Sequence, residues 1–374
     1  MKSEIISFGI GCFHFSYKKQ TPFKFKGSNY IDDLKKTLEG VPNVSNVQID
    51  STDDFLNYEE KIDDNEFFQS EGLNLFPYPS LGMDIQFEIY IPERIQNEIT
   101  SLSINDLHTE RFRVKIIYTY FLPFVIVELI NPSQIPSPSI AIMIIREFLI
   151  SQINKNENTI NLECLGPSPF HADFYLAPVD SMDKTEVLRC NVTKSRGYDL
   201  IKFEFNNKII SNIENAKEFF LEELGDEFGL YYHINNGELI RMHQWENMQE
   251  LLDKLVLLNK TKGIKYAWFR ITQVYNLIQE ITIMLTEFES SDIDFKYEIN
   301  KEFRDINRER TEAYLGEYLK EEINEIKSYP TNQVREILNL IENRRSKRIE
   351  NLIAIFSALI GGIIGSLITL FFSY

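Results

Sequence analysis

The chain ends in an uncharged run of apolar and small residues, Leu352 to Phe372. A helix this long and uniformly apolar is rarely placed in a protein core, and at ~1.5 Å per residue it covers a bilayer core of about 30 Å. The residues that precede it are basic, namely Arg344, Arg345, Lys347 and Arg348. By the positive-inside rule, this arrangement predicts a single-pass protein of the cell inner membrane with a cytoplasmic N-terminal domain.

Small residues recur every four positions in the apolar run. They form two tracks, Ala354, Ala358, Gly362 and Ser366 on one, and Ser357, Gly361, Gly365 and Thr369 on the other. Such tracks let helix backbones approach closely, so they predict a homo-oligomer packed through this helix. The alternative is the ordinary enrichment of glycine in membrane helices. Because one helix cannot enclose a water path, any pore requires the oligomer.

The composition favours a globular region ahead of this helix. The chain has 374 residues, of which 43% are hydrophobic and 13% aromatic, enough for one large or two medium domains. A net charge of −17 disfavours a protein that coats nucleic acid or anionic lipid with its whole surface, but it allows a local basic patch. Three cysteines without a CxxC pair predict reduced, structural thiols.

Strand-like and short helical patterns occupy the chain before Trp245, and helical patterns continue after it. They predict an α+β fold with a mixed β-sheet cytoplasmic head, a C-terminal helical stalk and the single transmembrane helix. The predicted segments are an α+β subdomain at 1–131, a second at 138–244, a stalk at 245–330, and a juxtamembrane helix continuing into the anchor at 331–374. Prolines between 131 and 139 mark the internal boundary.

Three local patterns give specific expectations. Gly9 and Gly11, where the alternation of the first strand changes, predict a β-bulge. The NNG sequence at 235–237 predicts a β-hairpin turn. In the last helix, Val334 and Ile341 with the intervening Ile337 have coiled-coil spacing, and packing within the subunit is an equal alternative.

Basic residues at two places predict where an anionic signal such as a nucleotide or oligonucleotide binds. Arg111, Arg113 and Lys115 share one face of a strand. Lys194 and Arg196 belong to the most basic part of the globular region, 183–208. A solvated β-surface is the commoner explanation for each.

His171 and Asp173 follow a strand in the segment GPSPFHADF, a position where binding residues often occur. They are the most suggestive polar pair of the chain. No third ligand or nucleophile is spaced to complete a site, so a structural turn is the favoured interpretation.

Catalytic motifs are absent from the sequence: it contains no GxSxG, HExxH, Walker or GxGxxG pattern. The sequence therefore predicts a protein that is not an enzyme and that holds no cofactor and no metal. An unrecognised enzyme is retained as an alternative.

The predicted head, charged stalk and terminal helix resemble two families. The first is the CorA-type divalent cation channel, but its second membrane helix and GMN signature are missing, so magnesium transport is not implied. The second is the Hailong type of membrane effector in bacterial anti-phage, abortive-infection systems. This resemblance covers the architecture and the 331–374 segment, and it implies a nucleotide-derived signal, host depolarisation and a partner protein from the same operon.

The predicted function is an oligomeric, membrane-anchored sensor and effector that forms an ion-conducting pore gated by a cytoplasmic signal in anti-phage defence. Two alternatives stay open. One is a tail-anchored binding or scaffold protein without pore activity, and the other is the unrecognised enzyme.

Overall fold

The structure is a computed structural model that describes residues 5–18, 23–62, 82–100, 107–118, 122–134, 136–155, 159–166, 168–183, 185–260, 267–309 and 313–372. For residues 365–372 the description covers the helical backbone alone. The chain divides into two compact units. The first comprises Met1–Ile240 with Tyr297–Ile326, and the second comprises Arg241–Lys296 with Lys327–Tyr374.

A mixed β-sheet forms the centre of the first unit, as the strand patterns predict. The strands are β1 (Ile6–Tyr17), β2 (Phe23–Lys26), β3 (Val44–Ser51), β4 (Glu59–Ile62), β5 (Met83–Tyr90), β6 (Arg111–Ile117), β7 (Phe124–Leu129), β8 (Ile160–Leu165), β9 (Ala172–Val179), β10 (Leu188–Thr193) and β11 (Asp199–Asn206). Nine strands form one sheet in the order β10-β11-β9-β1-β7-β6-β5-β3, with β8 also paired to β1. β9 and β11 run parallel, whereas β1 is antiparallel to β7, β8 and β9. β2 and β4 pair separately.

Helices cover both faces of this sheet and continue into the second unit. They are α1 (Gly27–Glu39), α2 (Asp53–Asn57), α3 (Glu93–Thr100), α4 (Ser139–Lys155), α5 (Ile213–Lys260), α6 (Ala267–Glu309), α7 (Gly316–Glu325) and α8 (Thr331–Phe372). The α+β class with a mixed sheet is therefore observed.

Large side chains fill the space on each side of the sheet. On one face, buried residues of α1 and α4 join Phe13 and Phe15 of β1 in one hydrophobic core. On the other face, Phe220 of α5 contacts Phe8 of β1, with ring centroids 5.0 Å apart. Phe228 of the same helix contacts strand β9. Burying one such side chain contributes roughly 1.5–3 kcal/mol, so these contacts determine how the helices lie on the sheet.

Glycine is required at two positions of β1 because α4 approaches closely. A Cβ on Gly9 would lie 2.5 Å from the carbonyl oxygen of Pro138, and one on Gly11 would lie 2.7 Å from a side-chain carbon of Ile142. The β-bulge predicted at these glycines is wrong, because β1 pairs with β7 and then β8 without a register shift. The strand is buried on both faces, and this double burial explains the change in alternation.

The hairpin predicted at the NNG sequence is also wrong. Helix α5 runs without interruption through Asn235, Asn236 and Gly237. The Asn235 side-chain amide donates a hydrogen bond to the carbonyl oxygen of Tyr231 at 2.9 Å, along the same helix. Asn236 is buried. Tertiary packing therefore overrides the local turn preference of these residues.

Three helices build the core of the second unit. Its buried members, from α5, α6 and α8, are Trp245, Met248, Leu255, Val274, Ile278, Ile281, Leu285, Phe288, Val334, Leu338 and Ile341. Val334 and Ile341, two positions of the predicted coiled-coil seam, therefore pack within the subunit. Ile337, the position between them, is 41% exposed.

The transmembrane prediction is wrong. Within the described part of the chain, the structure contains no helix with an apolar stretch of the length that a bilayer requires. The single-pass inner-membrane location and the pore-forming ion channel depended on this helix, so both predictions are corrected with it.

The residues assigned to membrane packing and flanking have other surroundings. The small residues with described side chains all lie on the exposed surface of α8; they are Ala354, Ser357, Ala358, Gly361 and Gly362. The side chains of Gly365, Ser366 and Thr369 lie outside the described residues. In the basic cluster, the Arg345 guanidinium lies 4.6 Å from the centre of the Tyr275 ring. Arg348 donates to Asn259 at 3.4 Å, whereas Arg344 and Lys347 are exposed.

Candidate ligand-binding cleft

A cleft of about 120 Å³ opens between the sheet and the first turns of α5. Its apolar floor is formed by side chains from β1, β7, β9 and α5, namely Ile6, Phe8, Ile126, Leu176, Phe220 and Leu221. Its mouth is formed by charged and polar side chains, namely Gln86, Arg113, Lys115, Glu128, Glu214, Lys217 and Glu218. An apolar floor with a few converging polar groups is the usual composition of a small-molecule site.

Strand alternation explains why Arg113 and Lys115 reach this mouth. The residues between and beside them, Phe112 and Val114, point into the core on the opposite face and are fully buried. Side chains two residues apart on a strand share a face, as the sequence analysis predicted for the basic stripe. Arg111, at the start of the same strand, is exposed and does not line the cleft.

Most of the charged groups at the mouth are already paired with each other. Arg113 donates to Glu128 at 3.2 Å and to Glu88 at 3.3 Å. Lys217 donates to both carboxylate oxygens of Glu128 at 2.9 Å and to Glu214 at 2.9 Å. The predicted basic stripe is therefore largely neutralised by acids from neighbouring strands and from α5.

The ionisation of these groups follows from their neighbours. Burial alone lowers the pKa of Arg113, but the negative charges of Glu128, Glu214 and Glu88 outweigh burial and raise it overall. Arg113 is therefore a permanent cation that its own carboxylates hold in place.

Lys115 is the mouth cation with the weakest partner. Its ammonium group lies 3.5 Å from the carboxylate of Asp84, a longer separation than those of Arg113 and Lys217. Burial raises the pKa of Asp84 above its ordinary value, and the opposing charge of Lys115 does not cancel this rise. Asp84 consequently holds its negative charge less firmly than a free aspartate, which makes Lys115 the group best able to accept an anionic ligand.

A more open depression continues from the cleft towards β3. It shares Gln86, Arg113 and Glu214 with the cleft and adds Asn46 and Gln48 of β3. Arg113 therefore contributes to the lining of both the cleft and this depression.

Lys194 and Arg196 lie elsewhere, in the turn between β10 and β11. Arg196 is exposed, and the described residues offer it no ion-pair partner. Tyr198 in the same turn is 41% exposed and meets the His171 ring edge-to-face, with centroids 6.0 Å apart. His171 itself has a positive φ of 46°. The structure thus brings His171 to the turn that carries Arg196 and Tyr198.

A hydrogen bond and a cation–π contact connect this turn to Tyr318 of α7. Asp199 accepts hydrogen bonds from the Ser195 backbone N–H at 2.9 Å and the Tyr318 hydroxyl at 2.7 Å. Lys194 lies 3.0 Å from Asp199 and 4.0 Å from the centre of the Tyr318 ring. Burial and the Asp199 contact raise the pKa of Tyr318 to about 12. This tyrosine is therefore a neutral hydrogen-bond donor and not a base at neutral pH.

Asp173 has different partners from His171. It accepts hydrogen bonds from the Ser137 hydroxyl at 2.9 Å and from the Ser139 backbone N–H, at the start of α4, at 2.8 Å. Two strand positions later, the Tyr175 hydroxyl donates to the Pro136 carbonyl oxygen at 2.7 Å. Both side chains hold the proline-rich segment against β9, so the structure gives Asp173 structural contacts.

Sequence reasoning missed Glu128, Lys217 and Gln86, which complete the mouth of the cleft. Glu128 and Gln86 occupy outward positions of strands, where alternation identifies a solvent-facing residue but not its neighbour. Lys217 lies in α5, which is distant from Arg113 in the sequence. Only strand order and helix docking bring these residues to Arg113.

Among the described residues, no group of histidine, cysteine, aspartate and glutamate side chains is arranged to hold a metal ion. The thiols are buried or half-buried, and burial raises the pKa of Cys190 to about 12 and that of Cys164 to about 12. Comparison with protein-family models, curated proteins and solved structures finds no match to this chain, so the chemistry of the site rests on its own residues.

Proposed function

We propose that this chain is a binding protein that holds a small molecule with an apolar body and an acidic head group in the cleft. The supporting observation is the apolar floor beneath a charged mouth in which Lys115 has the weakest partner. The apolar body displaces water from the floor, and the acidic group contacts Lys115 and then Arg113. A charge-assisted hydrogen bond of this kind is worth roughly 1.5–3 kcal/mol.

The role proposed for the first unit, which contains this cleft, is that of a sensor or scaffold. The charged groups of the mouth are held by ion pairs, an arrangement that favours recognition over proton transfer. The ligand competes with these internal pairs, so its binding changes contacts between the sheet and α5. Such a change is what a sensor needs in order to report occupancy.

The test uses probes that differ in charge but have nearly the same shape. Benzoate and hexanoate are compared with benzamide and hexanamide by ligand-observed NMR on the full chain. We expect the two acids to bind and Lys115→Gln to weaken them by about tenfold. Arg111→Gln removes the same charge from the same strand outside the cleft, so it is the matched control.

Either of two results would contradict the proposal. One is equal binding of acids and amides, which would remove the role of the acidic group. The other is equal weakening by Lys115→Gln and Arg111→Gln, which would indicate a general effect of surface charge.

A second candidate function, binding of single-stranded oligonucleotide, is favoured by the surface of His171, Arg196 and Tyr198. An exposed aromatic ring beside an arginine suits a stacked base next to a phosphate. We expect Tyr198→Ala to weaken binding of a fluorescent oligonucleotide in an anisotropy titration. Tyr297→Ala removes another exposed tyrosine and should leave it unchanged; equal effects would exclude the stacking role.

A further inference from the structure

A second cleft of the first unit, about 210 Å³ in volume, is lined by three lysines. It lies where the end of β1 meets β2 and the start of α1. The full lining is Tyr17, Lys18, Lys24, Lys26, Asn29, Asp33 and Thr159. The chain has a net charge of −17, so three ammonium groups around one cleft form a positive patch on a mostly negative protein.

Strand geometry places two of these lysines side by side. Lys24 and Lys26 alternate along β2 with Phe25, which is fully buried on the opposite face. Both ammonium groups converge on one exposed carboxylate, that of Glu59; Lys24 forms the close contact and Lys26 lies 3.6 Å away. The β2–β4 pairing brings Lys26 opposite Glu59 and so sets this arrangement.

The third lysine comes from the end of β1. The backbone N–H of Lys18 donates to the carbonyl oxygen of Thr159 at 2.7 Å, which holds this residue at the cleft wall. Its ammonium group forms no ion pair with any of the described residues. Lys18 therefore adds a positive charge that the neighbouring acids do not neutralise.

Among the described residues, the acids near this cleft are fewer than its cations, and each already has a partner. Asp33 accepts a hydrogen bond from the Tyr17 hydroxyl at 3.1 Å. Burial and, second, this contact with Asp33 raise the pKa of Tyr17 well above its ordinary value, so the hydroxyl stays a donor. Glu59 is shared by two lysines. Within the described part of the chain, three ammonium groups thus face two carboxylates, which leaves an excess of positive charge.

We propose that this lysine cleft binds a phosphoryl group. A phosphate dianion supplies several acceptor oxygens for the three ammonium groups, and its negative charge is attracted by the remaining positive charge. The Tyr17 ring stands at the wall, where it offers a surface to an organic part attached to the phosphate. This site is separate from the cleft at α5 and does not depend on the function proposed for it.

The experiment is isothermal titration calorimetry of the full chain with inorganic phosphate, pyrophosphate and adenosine 5′-monophosphate at low ionic strength. The test variant is Lys24→Gln/Lys26→Gln. The matched control is Lys35→Gln/Lys36→Gln, which removes two exposed lysines of α1 outside the cleft. Circular dichroism confirms that each variant is folded.

We expect phosphate to bind the wild type and the control, and to bind the test variant at least about tenfold more weakly. Lys115→Gln in the other cleft should leave phosphate binding unchanged. Tighter binding of the nucleotide than of free phosphate would indicate a phosphorylated organic ligand, whereas equal binding would indicate phosphate itself. Equal affinity in the test and control variants, or no binding of any of the three probes, would overturn the proposal.

Discussion

At the scale of single residues, a buried carboxylate on α5 holds the start of α7. Glu227 has no exposed surface, and its two oxygens accept hydrogen bonds from the backbone N–H groups of Tyr314 at 3.1 Å and Leu315 at 2.6 Å. Leu315 is the N-cap residue of α7 and has no side chain able to cap the helix itself. Glu227 supplies from a distance the acceptor that a serine or aspartate usually supplies locally.

Glu227→Ala should lower the free energy of unfolding by about 2–4 kcal/mol, because two buried N–H groups lose their acceptor. Urea denaturation followed by circular dichroism measures this change. Glu222→Ala, at an exposed position of the same helix, should shift it by no more than about 0.5 kcal/mol. Equal effects of the two substitutions would show that Glu227 contributes little through these bonds.

Glu322 on α7 lowers the free energy of unfolding by an amount that depends on pH. Burial raises its pKa above the ordinary value, and the charges of Glu325 and Glu321 raise it further. A carboxyl whose pKa is raised in the folded state favours folding only when it is protonated, so ionisation at neutral pH lowers stability.

Glu322→Gln should therefore increase the free energy of unfolding at pH 7, and the increase should vanish as the pH falls to about 4. Urea denaturation across this pH range measures the difference. Glu298→Gln, at an exposed position of α6, should give no comparable trend. A gain from Glu322→Gln that is constant with pH would exclude ionisation as the cause.

Single residues of the site were predictable to different degrees. Arg113 and Lys115 follow from strand alternation, which is local and visible in the sequence. Their partners Glu128 and Lys217 were not predictable, because β7 and α5 reach them only through the tertiary arrangement. A basic stripe can bind an anion only where neighbouring acids do not already pair with it. The sequence shows the basic residues but not these ion pairs, so it suggested more unpaired positive charge than the structure has.

At the scale of elements, the contact between β1 and the start of α4 depends on Gly9, because glycine has no side chain to keep the two elements apart. The packing brings the Pro138 carbonyl oxygen to within 2.5 Å of a Cβ placed on Gly9. Backbone atoms cannot move aside as a flexible side chain can, so β1 tolerates only glycine there without displacement of α4.

Gly9→Ala should lower the free energy of unfolding by about 1–3 kcal/mol through this overpacking. Thermal denaturation is the measurement, and Gly197→Ala is the control because a Cβ there meets no atom within 4 Å. A neutral effect at Gly9 would mean that α4 shifts at little cost.

In helix α5, the burial of side chains in the tertiary structure outweighs the turn preference of the NNG sequence. The NNG sequence favours a turn, yet tyrosines and an isoleucine immediately before it are buried, as are Asn236 and Arg241 within and after it. A hairpin would remove these side chains from the core. The gain from burying them exceeds the modest helix propensity cost of asparagine and glycine, which is below about 1 kcal/mol per residue.

At the scale of the whole molecule, the apolar run of α8 is exposed on every side over residues 352–364, the part whose side chains the structure describes. Its large side chains are 38% to 60% exposed, and they are Leu352, Ile353, Ile355, Phe356, Leu359, Ile360, Ile363 and Ile364. A helix that is apolar all round is normally covered, and a patch of this size marks an association surface. We propose that copies of the chain associate through this segment.

Phe356→Ser/Ile360→Ser should shift the full chain towards monomer in size-exclusion chromatography with light scattering. The control Ile283→Ser/Ile293→Ser removes two comparably exposed apolar side chains of α6 and should not change the mass. A monomeric wild type at all concentrations, or equal shifts in both variants, would contradict self-association through this segment.

The sequence by itself determined the α+β class and the face of β6 that carries Arg111, Arg113 and Lys115. These properties arise from the period of apolar residues, which is local. Tertiary structure alone decided that α5 passes through NNG, that Val334 and Ile341 serve an internal core, and that Arg113 meets Glu128. It also decided where both clefts lie, because residues distant in the sequence form each one only when strands pair and helices dock.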